Sequence, residues 1–294
     1  MGHHENENGL LEVNLYFQEA TPKTDTPIRF AHECLNIVPT CRILVVKLEM
    51  GMDKKWRSRF PIFQHHPQLA YLDNAATTQR VDVVIDAMQE FSARENATVH
   101  RGIYYLSSSA TIRFEEARDK IAKFLNASGS ENIGFTKGTT ESVNVVARGY
   151  LESRLSKGDN VIVSILEHHA NFLPWQEVCK KKGAELRILR LDGGGKLTAD
   201  SLAELVDERT KLVAVNYISN TLGCINDVKS LAEVCNRHSI PVLIDAAQSV
   251  ALHSPDVTKL GCDFLVFSGH KMFGPMGTGV LYVGNDYVDK VAPL

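Results

Sequence analysis

The chain has 294 residues, 44% of them apolar and 23% charged, and a net charge of −3. That length and balance fit a soluble globular protein with one large α/β domain or two ordinary ones. No basic block marks a nucleic-acid or anionic-membrane surface, and no apolar run exceeds strand length, so neither nucleic acid nor a membrane is expected as a partner.

Residues 1–51 stand apart from the rest. His3-His4 and the run Asn14-Leu15-Tyr16-Phe17-Gln18 resemble a purification tag with a protease site, imperfect in both parts and equally compatible with native upstream sequence. The run 41–48 has the composition of one strand but no evident pairing neighbour. This segment is read as a disordered leader or tag, with Met50 or Met52 as a natural start. Residues 52–294 contain no linker and are read as one domain.

From about Trp56 onward, short apolar runs alternate with amphipathic stretches. Strands are expected at 133–136, 160–164, 185–189, 212–217, 241–245, 264–267 and 279–283, with clear helices at 199–206 and 228–238. Such alternation predicts a seven-stranded, mostly parallel α/β sheet covered by helices on both faces. Between the sixth and seventh strands there is room only for a glycine-rich loop, so the last strand is expected to run antiparallel. The six cysteines form no C-x-x-C pair and no zinc spacing. Reduced thiols used as small apolar residues are the simplest reading, which points to the cytoplasm and to no metal site.

In such a sheet ligands bind beyond the carboxyl ends of the strands, and the polar clusters of this chain fall there. After the first strand comes Thr136-Lys137-Gly138-Thr139-Thr140, a glycine and two hydroxyls at a helix start. That arrangement suits a phosphate, whose charge the free N–H groups favour, and equally suits a simple helix cap. After the second comes Glu167-His168-His169-Ala170-Asn171. Adjacent histidines do not face one metal site; an imidazole stacked on a planar ring competes with a surface histidine pair. The fourth strand leads to Asn220 and the fifth to Asp245-Ala246-Ala247-Gln248. A carboxylate at the end of a buried strand needs a partner, either a protonated pyridine nitrogen or a helix N-terminus. The sixth leads to Ser268-Gly269-His270-Lys271, where a desolvated lysine suits Schiff-base chemistry. Each cluster alone has an ordinary structural alternative. Together they follow the order that a pyridoxal 5'-phosphate site on one sheet requires.

Six motifs carry a family resemblance: Tyr71-Leu72-Asp73-Asn74-Ala75-Ala76-Thr77-Thr78, Val99-His100-Arg101-Gly102, Gly138-Thr139-Thr140-Glu141, Glu167-His168-His169-Ala170-Asn171, Asp245-Ala246-Ala247-Gln248 and Ser268-Gly269-His270-Lys271. From about residue 56 to the end, the chain resembles the group II cysteine desulfurases, class V aminotransferase relatives with the fold-type I architecture of pyridoxal-phosphate enzymes. The resemblance implies that Lys271 is the Schiff-base lysine and proton shuttle, that His168 stacks on the pyridine ring and that Asp245 pairs with its nitrogen. It also implies that Gln248 bonds the phenolic oxygen, that Thr140, Ser268 and His270 take the phosphate with Thr139 beside them as a cofactor-binding residue, and that Asn220 lies near the substrate carboxylate. The implied reaction removes sulfur from L-cysteine, giving L-alanine and an enzyme persulfide that passes to an acceptor protein for iron–sulfur cluster assembly. A homodimer is implied as well.

The chain departs from the family pattern at Tyr217, where His is common, and at Ala246, where Gly is. The family continues for roughly another hundred residues. The nucleophilic cysteine, the carboxylate-binding arginine and a small second domain are therefore expected in a part this chain does not include, and none of its six cysteines falls in the matching place. Other readings of the same residues are a class V selenocysteine lyase acting on L-selenocysteine, an epimerase or aminotransferase, and a non-catalytic cofactor-binding fragment.

Overall fold

The computed structural model describes residues 56–293, and the expectations for residues 1–51 lie outside them. Two long helices, α1 (Asp82–Arg94) and α2 (Tyr105–Leu125), precede the sheet. Then follow β1 (Ile133–Thr136), α3 (Thr139–Asn144), β2 (Asn160–Ser164), α4 (Leu173–Lys182), β3 (Glu185–Leu189), α5 (Ala199–Ala203), β4 (Thr210–Asn216), α6 (Val228–Arg237), β5 (Val242–Asp245), α7 (Val257–Leu260), β6 (Phe264–Ser268) and β7 (Gly279–Val283). Past α3 the chain continues as a π-helix, Val145–Leu151.

The seven strands form one sheet in the order β1-β7-β6-β5-β4-β2-β3. β7 runs antiparallel to both β1 and β6, and every other pairing is parallel. The short loop before β7 thus has the consequence expected of it, since only an antiparallel neighbour can be reached without a crossover.

Strands buried on both faces read as continuous apolar runs, and β2, β6 and β7 are buried at every position. Side-chain alternation divides them between two cores. Val161, Val163, Leu243 and Val266 pack on one face with Val146, Leu151, Trp175 and Val178. Ile162, Val242, Ile244 and Leu265 pack on the other with Leu125, Leu202, Leu231 and Leu260. Helices thus cover both faces. Their ends follow local chemistry: Asp227 accepts from Ser230 N at 3.2 Å to start α6, and Gly183, at φ 67°, ends α4. α5 stops at Ala203, short of the expected 206, and α6 at Arg237.

β5 omits Pro241, which has no N–H for the ladder, though its carbonyl still accepts from Val213 N at 3.0 Å. β4 ends at Asn216, where Asn226 N reaches back to the carbonyl of Tyr217 at 2.9 Å and turns the chain. From β2 the chain steps outward to β3 and then returns to place β4 on the other side of β2. The order reverses there, and the crevice at such a switch point is where this class of sheet holds ligands. Among the described residues, no helix is long and apolar enough to cross a membrane.

Candidate active site

At the carboxyl ends of β2, β4, β5 and β6 lies a cleft of about 530 Å³, a size suited to a small molecule. All nine residues singled out from the sequence line it: Thr139, Thr140, His168, Asn220, Asp245, Gln248, Ser268, His270 and Lys271.

One end is built by the close approach of β1, β6 and β7. Thr139 N donates to Ser268 Oγ at 2.8 Å, and the two hydroxyls lie 2.7 Å apart. A Cβ on Gly279 would stand 2.4 Å from Gly138 Cα. Only glycine lets the start of β7 pass this close to the loop before α3. Gly138 itself has φ 156°. The result is a cup of backbone N–H groups and hydroxyls at the head of α3, the donor set an anionic phosphate takes.

The lysine loop is fastened by a distant segment. Thr78 N and Thr78 Oγ1 donate to the carbonyl of His270 at 2.9 and 3.0 Å, and Phe273 N donates to Thr78 Oγ1 at 2.8 Å. His270 Nδ1 lies 3.2 Å from Thr77 Oγ1. Lys271 is held half-buried at the end of this loop. Burial pulls its pKa below the usual lysine range, with Asp245 opposing the shift. A less strongly protonated amine is one that can act as a nucleophile or take up a proton.

Asp245 is 5% exposed, and its Oδ1 accepts from Ala247 N at 2.9 Å. Burial pushes its carboxyl pKa up, against the pull of that bond and of Lys271. No described residue donates to Oδ2, so a carboxylate at the cleft wall keeps one oxygen for a cationic partner. Gln248 Nε2 donates to the carbonyl of Ala75 at 2.7 Å, which leaves its second amide proton. Asn220 is exposed at the rim, 3.4 Å from Thr221 Oγ1.

His168 caps a short 3₁₀ turn, and its Nδ1 accepts from Ala170 N at 3.1 Å. The neutral ring therefore carries its proton on Nε2. Burial, then Lys271, lowers its pKa and favours that neutral form. A neutral, fixed imidazole can lie against a flat ring. The site thus offers an anion cup, a planar stacking group, a carboxylate with a free oxygen and a desolvated amine. This set fits pyridoxal 5'-phosphate group by group.

Sequence reasoning missed other lining residues, including Asp73, Ala75, Ala76 and Asn216. The first three sit in a motif quoted only for its family likeness, and nothing in local periodicity reveals that it folds against His270. Tyr217 does not line the cleft; it packs, partly buried, against the core that includes Val213 and Val215. None of the described cysteines lines it either. Cys179 and Cys235 are buried, and burial pushes their thiols up to about 11 and about 12. Among the described residues, no group of three or more His, Cys, Asp or Glu side chains could hold a metal ion.

Comparison with known proteins gives concordant findings. Residues 70–294 match the family model for aminotransferase class-V. The cysteine desulfurase of Salmonella newport (strain SL254) is 44% identical over 243 residues, which are 82% of this chain and 60% of that protein. The apo structure of cysteine desulfurase from Thermococcus onnurineus NA1 superposes with a TM-score of 0.76 at 37% identity, covering 82% of this chain and 59% of that one. SspA in complex with cysteine gives 0.72 at 29% identity, over 77% of this chain and 64% of that one. The chain thus spans about three fifths of the length of the curated relatives it matches.

Proposed function

The chain belongs to the class-V aminotransferase family, and we propose that its cleft is the pyridoxal 5'-phosphate site of a cysteine desulfurase. The observation that carries this reading is convergence: nine residues from five separate strand ends, named from strand-end chemistry and from the family resemblance, line one cleft.

Bound there, the cofactor supplies an electron sink that loosens a bond on the substrate's amino-bearing carbon. The chain's own residues would do the rest. Thr139, Thr140, Ser268 and His270 would hold the phosphate, and His168 would keep the ring flat and shielded from water. The free oxygen of Asp245 would hold the proton on the ring nitrogen, because a desolvated carboxylate beside a pyridinium favours the charged ring. Gln248, with one amide proton committed to Ala75, has the other for the ring's oxygen. Lys271 Nζ would anchor the cofactor and then carry a proton to and from the substrate carbon. Asn220, at the rim, would meet the substrate carboxylate.

Sulfur removal needs a thiolate aimed at the substrate sulfur, and no described cysteine is placed for that step. The reading extends to L-cysteine or L-selenocysteine as substrate, a sulfur-acceptor protein that feeds iron–sulfur cluster assembly, a homodimer, and the cytoplasm.

The test is titration of the purified chain with pyridoxal 5'-phosphate, followed by amino acids. The expected result is a saturable visible absorption band that L-cysteine perturbs and D-cysteine does not. Absence of saturable uptake, or identical responses to both enantiomers, would overturn the reading.

A further inference from the structure

Glu167 stands in the motif beside His168 yet has no part in the roles assigned above. It does not line the cleft. Its carboxyl group instead turns back to meet three separate segments. Ser164 Oγ, at the end of β2, makes a very short contact with Oε1. Asn216 N, at the end of β4, donates to the same oxygen at 2.8 Å, and Asn171 Nδ2 donates to Oε2 at 2.6 Å.

The bond to Asn216 has a topological cause. Tyr217 N donates to Asp245 O on β5, so by strand alternation Asn216 N faces the β2 side. The β2–β4 pairing ends at Val163 and Ala214, and the next β2 carbonyl, that of Ser164, accepts from Glu167 N instead. Glu167 Oε1 takes that carbonyl's place and extends the ladder past the end of the strand. Asn216 answers in kind: its Nδ2 donates to the carbonyl of Leu166 at 2.6 Å. The two segments are clasped reciprocally, and Asn216 is a cleft wall paired in register with Asp245.

The third bond fixes the histidine turn. Asn171 Oδ1 is taken by the indole of the buried Trp175 at 3.0 Å, so its amide nitrogen must face Glu167. Asn171 N also donates to the carbonyl of His168 at 2.8 Å. Movement of Glu167 would therefore move the turn that carries His168.

We propose that Glu167 is a positioning residue of the cofactor cleft, whose carboxyl group clasps the His168 turn to the end of β4 and so holds His168 and Asp245 in one wall. This rests on the pyridoxal-phosphate reading of the cleft. Burial, and secondarily the nearby Asp245, pushes the Glu167 pKa up to about 8, against the pull of the three hydrogen bonds. The carboxyl group accepts from all three neighbours: Oε1 from Ser164 Oγ and Asn216 N, and Oε2 from Asn171 Nδ2. Glutamine cannot do this. In either amide orientation one –NH₂ group faces another N–H donor, Asn171 Nδ2 or Asn216 N.

The test compares wild type, E167Q and E167A, with L202A as a control in a core helix away from the cleft. Affinity for pyridoxal 5'-phosphate, the His168 ring resonances of the cofactor-free protein and thermal unfolding are measured for each. Glu167→Gln should weaken cofactor binding about tenfold and Glu167→Ala further, by the loss of one and of several buried hydrogen bonds. Both should shift the His168 resonances, whereas L202A lowers only the unfolding temperature. Unchanged affinity and resonances in E167Q, whatever its stability, would overturn the proposal; so would a response confined to E167A, which would make Glu167 a space-filling residue. Should the Glu167 variants fail to fold, Ser164→Ala is judged by the same two readouts and criteria. If the wild type itself takes up no cofactor, the cleft reading fails, while the His168 resonances of the cofactor-free variants still decide the clasp.

Discussion

Ser268 and Thr139 are 129 positions apart in the chain, yet Ser268 Oγ accepts the Thr139 amide at 2.8 Å and lies 2.7 Å from its hydroxyl. This contact brings the end of β6 to the head of α3, and with it the lysine loop to the anion cup. Ser268→Ala leaves the buried Thr139 N–H without an acceptor, at a cost of about 1–3 kcal/mol. Denaturant unfolding should show that loss, and affinity for pyridoxal 5'-phosphate should fall with it. A stable variant with wild-type affinity would remove Ser268 from the cup.

The segment 71–78 is predicted to act through the lysine loop. Thr78→Val keeps the shape but removes the acceptor for Phe273 N and a donor to the His270 carbonyl. We expect a loss of about 1–3 kcal/mol of stability and faster amide hydrogen exchange between Gly269 and Gly274. Exchange that quickens elsewhere but not in this loop would contradict the clamp.

Thiol accessibility gives an independent check on the fold. Cys179, Cys235 and Cys262 are buried, and only Cys224 among the described cysteines is partly exposed. Brief maleimide treatment of the native protein, read by peptide mass mapping, should modify Cys224 well ahead of these three. Early labelling of Cys235 would show that the core around α6 is not packed as described.

Much of this was legible in the sequence because strands buried on both faces announce themselves as apolar runs. The ranges 133–136, 160–164, 185–189 and 279–283 coincide with β1, β2, β3 and β7. The polar clusters followed, since the rule that ligands lie beyond strand ends converts strand positions into site positions, while the roles of single residues within them came from the family resemblance. What remained hidden depends on contacts between distant segments. Thr78 and His270 are 192 positions apart, and no periodicity records that pairing. Glu167 was visible as part of a motif, but its purpose depends on where β2 stops pairing with β4, which composition does not reveal. Tyr217, the last residue of the expected fourth strand, falls by alternation on the core-facing side with Val213 and Val215.

Glu167 also predicts a pH dependence. Its pKa rises from a usual value of 4.5 to about 8 on folding, chiefly through burial. The folded state therefore binds this proton more tightly than the unfolded state does. The associated stability is fully present below pH 4.5 and is lost as pH rises through about 8. Glu167→Gln has no such proton, so its stability relative to wild type should improve between those values and level off above them. Urea unfolding across that range tests this; parallel curves for the two proteins would contradict it.

The most direct measurement of the central claim is covalent capture of the cofactor. The chain is incubated with pyridoxal 5'-phosphate, reduced with borohydride, digested and mapped by mass spectrometry. The account predicts one modified lysine, Lys271, since it alone among the described lysines lines the cleft with the anion cup and Asp245. A dominant adduct at any other lysine, or modification of Lys271 no greater than that of surface lysines, would contradict it.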